Sequence, residues 1–183
     1  MSQAQTPDWS TIDLVPTGCN GRDEAWLQAL LDTTWDRWFP EVMQDNDVRI
    51  VYGRRAKRRL GSISLDPTDR RTSVVTMNGH FREAAVPEFV ILATLVHELT
   101  HYAQGFNSPL ARTQKHPHAG GVMRREYAER GLLSLYLQQK LWLKREWATF
   151  LLSQSTTPSR QIATRQRPTA KTRVPKLLWF SDR

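Results

Sequence analysis

Apolar positions recur at helical spacing through Leu27, Leu30, Leu31, Thr34, Trp35 and Trp38, and the pattern stops at Pro40, which a helix interior does not tolerate. Ahead of it, Asn20-Gly-Arg-Asp23-Glu24 reads as a helix start, with Asn20 as cap and acids in the first turn. Three short β-rich pieces follow at residues 48–52, 60–65 and 73–77, the last two separated by the turn-forming Asp66-Pro-Thr-Asp69. An apolar run at residues 90–96 then predicts a buried helix, with Pro87 in its first turn and Gly105 as its stop after Gln104. A further helical pattern begins near Val122, breaks at Gly131 and resumes over residues 132–152, where Trp142 and Trp147 suit core or partner packing.

The buried helix carries the chemistry. Its last turns read His97-Glu98-Leu-Thr-His101. Residues four apart lie on one helical face, so His97 and His101 can aim their imidazoles at a single point, as two ligands of a tetrahedral metal must. Glu98 is rotated by roughly 100° from His97. It stands beside such a metal rather than on it, where a carboxylate can take a proton from an activated water.

A catalytic zinc needs a third protein ligand. Metzincin spacing would require Gly at 104 and His at 107, where this chain has Gln104 and Asn107. The remaining candidates are His118, His116 and Glu126, and His116-Pro-His118 is favoured because imidazole suits zinc and Gly120 and Gly121 allow a close backbone approach. His80, after Asn78-Gly79, reads as a lone surface histidine at a turn and not as a ligand. Tyr102 and His116 are the candidates for stabilising an oxyanion, and an edge strand near residues 73–77 is expected to hold an extended substrate by strand addition.

The chain has 183 residues, enough for one domain with a real core. The expected organisation is an extended lead-in at 1–19, a folded domain at 20–153 and a basic tail at 154–183. Of the formal charge of +8, a net +6 falls beyond Ser155, where seven basic residues face Asp182. Such a tail suits nucleic-acid contact or a plain solvated end; within it, Leu177-Leu-Trp-Phe180 could dock back or bind a partner. Residues 53–59 hold five more basic residues, read as the solvated tip of a hairpin ahead of a nucleic-acid contact. Cys19 is the one cysteine, which excludes disulfides within the chain and Cys-x-x-Cys zinc ribbons. Neither a secretory signal nor an apolar run near the ~18 residues of a spanning helix is legible, so the expectation is a cytoplasmic protein without membrane contact.

Between Arg59 and Leu133 the chain resembles the SprT-like zinc metallopeptidases. The likeness rests on Arg59-Leu-Gly-Ser62 entering a strand, a strand ending in Met77-Asn78, Pro87 ahead of the His97-Glu98-x-x-His101 helix, and Pro117-His118 followed by Val122-Met123. It implies an α+β, zincin-like fold with a small antiparallel or mixed sheet, an active-site helix and C-terminal helices, Zn2+ held by His97, His101 and His118, Glu98 as general base, and a protein or peptide substrate. The alternative from the residues themselves is a non-enzymatic module with a structural zinc, or none, that binds nucleic acid through the tail.

Overall fold

The computed structural model describes residues 21–155; the expected lead-in with Asn20 and Cys19, and the basic tail with residues 177–180, lie outside the described residues. Helix α1 (Glu24–Trp38) is capped by Asp23, whose carboxylate accepts the Trp26 amide at 2.8 Å. The cap is therefore Asp23 and not Asn20, because only the residue adjoining the first turn can reach its exposed N–H groups. The predicted stripe is buried, and Trp26 extends it.

Strands β1 (Val48–Tyr52), β2 (Gly61–Leu65) and β3 (Ser73–Met77) form a mixed sheet in the order β1-β3-β2. β3 runs parallel to β1, with Val48 opposite Ser73, and antiparallel to β2, with Gly61 opposite Met77. Two expectations are corrected here. Residues 53–59 are a crossover that carries the chain past β3, not a hairpin tip, since β1 and β2 are not neighbours. The strand at 73–77 is central, with both edges paired, so no substrate strand can add to it. Its burial pattern accords with the position: Ser73, Val74, Val75 and Met77 are buried, and Thr76, on the face away from α2, is partly exposed.

Asn78, just past β3, organises the crossover. Its side-chain amide donates to the Ala56 carbonyl at 2.7 Å and the Arg59 carbonyl at 2.6 Å, while its oxygen accepts from His80 N at 2.9 Å.

Helix α2 (Glu88–Ala103) runs through the middle of the core, with residues 90–96 entirely buried. Each fully buried aliphatic side chain contributes roughly 1.5–3 kcal/mol. The polar exception, Thr94, donates to the Val90 carbonyl and accepts from Gln139 Nε2 at 2.9 Å, so no group on this apolar face is stranded. The helix ends at Gln104, and Gly105 follows in the left-handed region at φ +79°. A side chain there would press into Ala111 and Arg112, so glycine is required twice over.

Helices α3 (Val122–Glu129), α4 (Leu133–Arg145) and α5 (Trp147–Ser155) complete the domain, with Gly131 turning between the first two at φ +72°. The helix expected over 132–152 is thus two, broken at Glu146. The break lets α5 fold back on the crossover, where Trp147 Nε1 donates to the Lys57 carbonyl at 3.0 Å. The same packing overturns the reading of His80 as a surface residue. His80 sits in a 3-10 turn (Gly79–Arg82), buried edge-on against Trp147 and Phe150, and burial, aided by the charge of Arg55, holds its pKa below the usual value. No helix of the described residues is long and apolar enough to cross a membrane.

Candidate metal centre

His97 and His101 face each other from successive turns of α2, with their Nε2 atoms 3.1 Å apart. Ligand atoms held about 2.0–2.1 Å from a tetrahedral zinc stand at nearly this separation from one another. The loop between α2 and α3 brings in His118, whose ring stacks on His97 at 5.2 Å and meets His101 edge-on at 4.7 Å. One ligand nitrogen from each of the three lies within 4.8 Å of the others. His118 is exposed, His97 partly exposed and His101 buried, so the group opens to solvent on one side.

Electrostatics disfavour protonation of His97 and His101. Burial, and then the proximity of His101 and His118, push His97 well below the usual histidine range. Burial, followed by His118, lowers His101 to about 4. Neutral imidazoles with converging lone pairs are what a metal ion binds, and protons would compete for the same atoms. Phe106 packs edge-on to His101 at 5.8 Å, and its N–H donates to the His101 carbonyl at 2.9 Å, which fixes the end of the helix beside the ring.

The other two candidates for third ligand are not in the group. His116 is exposed, and its carbonyl accepts the Ala119 amide in the turn that presents His118. Glu126 is occupied elsewhere: it accepts from Gln104 Nε2 at 2.9 Å and pairs with Arg130 at 2.7 Å. Arg130 in turn reaches Glu41 and covers the Phe39 ring, so Glu126 ties α3 to the end of α1. Tyr102, considered for an oxyanion, is a core residue; its hydroxyl donates to Asn46 Oδ1 at 2.8 Å, and its ring meets Trp35 at 5.0 Å.

Glu98 is buried between α2 and β2, and its Oε1 has no hydrogen-bond partner among the described residues. Burial raises its pKa from the ordinary value to about 8, against the opposing pull of the Arg59 charge and the Ile63 backbone N–H. A stranded buried carboxylate is costly to a fold and is a recurrent mark of functional sites. Beside a bound cation it would ionise more readily, which brings it toward the range of a general base working near neutrality.

Sequence reasoning did not anticipate Gly61, which makes room for this carboxylate. A Cβ at Gly61 would lie 2.7 Å from Glu98 Oε1 and 2.8 Å from Thr94 Cγ2. The one available signal was a glycine opening a strand, which often marks a close approach. Gly61→Ala is expected to lower stability by about 1–3 kcal/mol, through overpacking, and to displace Glu98. Denaturant unfolding checks the sign: strand propensity alone favours Ala over Gly, so a stabilised variant would show the contact to be slack.

No protein-family model, curated protein or solved structure matches this chain.

Proposed function

We propose that the protein is a zinc-dependent peptidase with a zincin-like domain. His97, His101 and His118 would hold the ion, and Glu98 would serve as general base. The observation that carries this reading is a buried carboxylate with one oxygen unpartnered among the described residues, placed one residue from a three-imidazole group open to solvent. A structural metal site has no use for such a carboxylate, whereas hydrolysis does.

Three imidazoles suit Zn2+ and would leave a fourth coordination position open. When bound, the ion supplies Lewis-acid polarisation of the scissile carbonyl and lowers the pKa of the attacking water. The chain's residues do the rest. Glu98 takes the water's proton and delivers it to the leaving amine. The Ile63 N–H and Gly61 set the position of its carboxylate. β2 has one edge paired with β3, and α2 packs beneath it, so the substrate approaches past β2 rather than β3.

Metal analysis of the full-length protein together with casein digestion tests the reading. About one zinc per chain is expected, with casein hydrolysis abolished by a chelator and restored by added zinc. Casein left intact by zinc-loaded protein, with a range of peptides equally untouched, would refute the peptidase and favour a binding module.

A further inference from the structure

The basic crossover forms one wall of an open groove of about 940 Å3 on the side of the sheet away from α2. Its floor carries hydroxyls from Ser62, Ser64 and Thr76, and its wall carries Arg54, Arg58 and Arg59 with Lys57. The wall is built rather than loose. The carbonyls of Arg54, Ala56, Lys57 and Arg59 all accept hydrogen bonds from the body of the domain, through Gly79 N, Asn78 Nδ2 and Trp147 Nε1. With the backbone pinned inward, the cationic side chains stand exposed. Among the described residues no carboxylate lines the groove; Glu83, outside it, pairs with Arg55. Concentrating like charge on a fixed loop is unfavourable for the free protein, and an anionic ligand relieves it.

The groove adjoins the candidate centre across the thickness of β2. Gly61 lines it, and a Cβ on Gly61 would touch Glu98. Arg59 also lines it, and the charge of Arg59 acts on the same carboxylate. A chain that runs along the free edge of β2, beside the centre, and continues past Gly61 therefore meets this wall. Among the lining residues there is no aromatic ring on which a nucleobase could stack. Arginine guanidinium groups and hydroxyls donate hydrogen bonds to carboxylates.

We propose that this groove receives the polypeptide substrate on one side of the cleaved bond and selects segments rich in Asp and Glu. The inference rests on the peptidase reading for the word substrate, but the acidic-peptide site can be measured without turnover. Labelled peptides of about ten residues, one rich in Glu and one with Gln in its place, would be titrated by fluorescence anisotropy into full-length protein at low salt. A labelled thymidine oligonucleotide would be titrated alongside. The Glu peptide is expected to bind about tenfold more tightly than the Gln peptide, the scale of a few exposed ion pairs acting together. Arg54→Glu with Arg58→Glu should reduce that preference to about twofold or less, and Arg54→Gln with Arg58→Gln serves if the charge-reversed protein does not fold.

Equal binding of the two peptides by the wild type, or a preference unchanged in the variant, overturns the proposal. So does an oligonucleotide whose affinity falls in the variant while that of the Glu peptide does not, which would make the groove a phosphate-backbone surface. Fluorogenic versions of the same peptides separate the two readings. Hydrolysis without preference for acidic residues defeats this inference alone. Binding preference with no hydrolysis of any peptide supports the groove and defeats the peptidase.

Discussion

Glu98→Gln is expected to yield a folded, zinc-loaded protein whose peptide hydrolysis falls by about 10²–10⁴-fold, the usual cost of losing a general base. Glutamine matches glutamate in shape and still meets the Ile63 N–H, but it cannot accept a proton from water. Steady-state rates on a peptide the wild type cleaves, with metal content measured on the same samples, decide it. Full activity in the variant would exclude Glu98 as the base.

The same substitution has a second, pH-dependent consequence. In the metal-free protein the Glu98 carboxyl titrates near 8, against an ordinary value of 4.5. Between those values the native state holds a proton that the unfolded chain has released, so stability falls as pH rises through the window. Glutamine has no proton to lose. Metal-free Glu98→Gln should therefore be more stable than metal-free wild type at pH 8, by about 4 kcal/mol, and nearly equal to it below pH 4.5. The lowered histidines work in the opposite direction, favouring the native state as pH rises toward 6.5, but both proteins share them and the comparison cancels them. Denaturant midpoints at the two pH values, with a chelator present, give the answer. A wild type as stable as the variant at pH 8 would show that the carboxylate is not stranded.

The second large effect concerns the ligands. His101→Ala should abolish zinc binding at equilibrium, and His118→Ala should weaken it by far more than His116→Ala or Glu126→Ala. Removing one of three protein ligands leaves an incomplete site, whereas His116 lies outside the group and Glu126 is bound to Gln104 and Arg130. Glu126→Ala should instead lower stability, since it leaves the partly buried Arg130 without one of its carboxylates. Competition with a chromogenic zinc chelator orders the four variants. Loss of metal in His116→Ala with retention in His118→Ala would move the third ligand by two residues.

Residues 53–59 show how a correct local reading can misplace an element. The strands on either side were legible from β-branched and apolar alternation, and the basic stretch between them looked like a hairpin tip. Pairing in parallel across more than 20 residues sends β3 between β1 and β2 instead. That single change makes the basic loop a crossover beside Glu98, and it removes β3 from the possible docking edges. His80 went wrong for a related reason, because the α5 residues that bury it lie about 70 positions away in the chain.

The sequence by itself determined the strands, the helices apart from the break at Glu146, and the first half of the centre. A residue four positions along a helix returns to the same face whatever surrounds it, so His97 and His101 converge by local geometry, and Glu98 stands beside them for the same reason. Only the tertiary structure decided which donor completes the group. His116 and His118 differ by two residues in a loop, and the one that reaches α2 depends on how residues 105–121 pack over the helix end, which no period in the sequence records. The burial of Glu98 was decided in the same way. It depends on β2 crossing α2 at a glycine, a contact between residues 37 positions apart that local propensity does not encode.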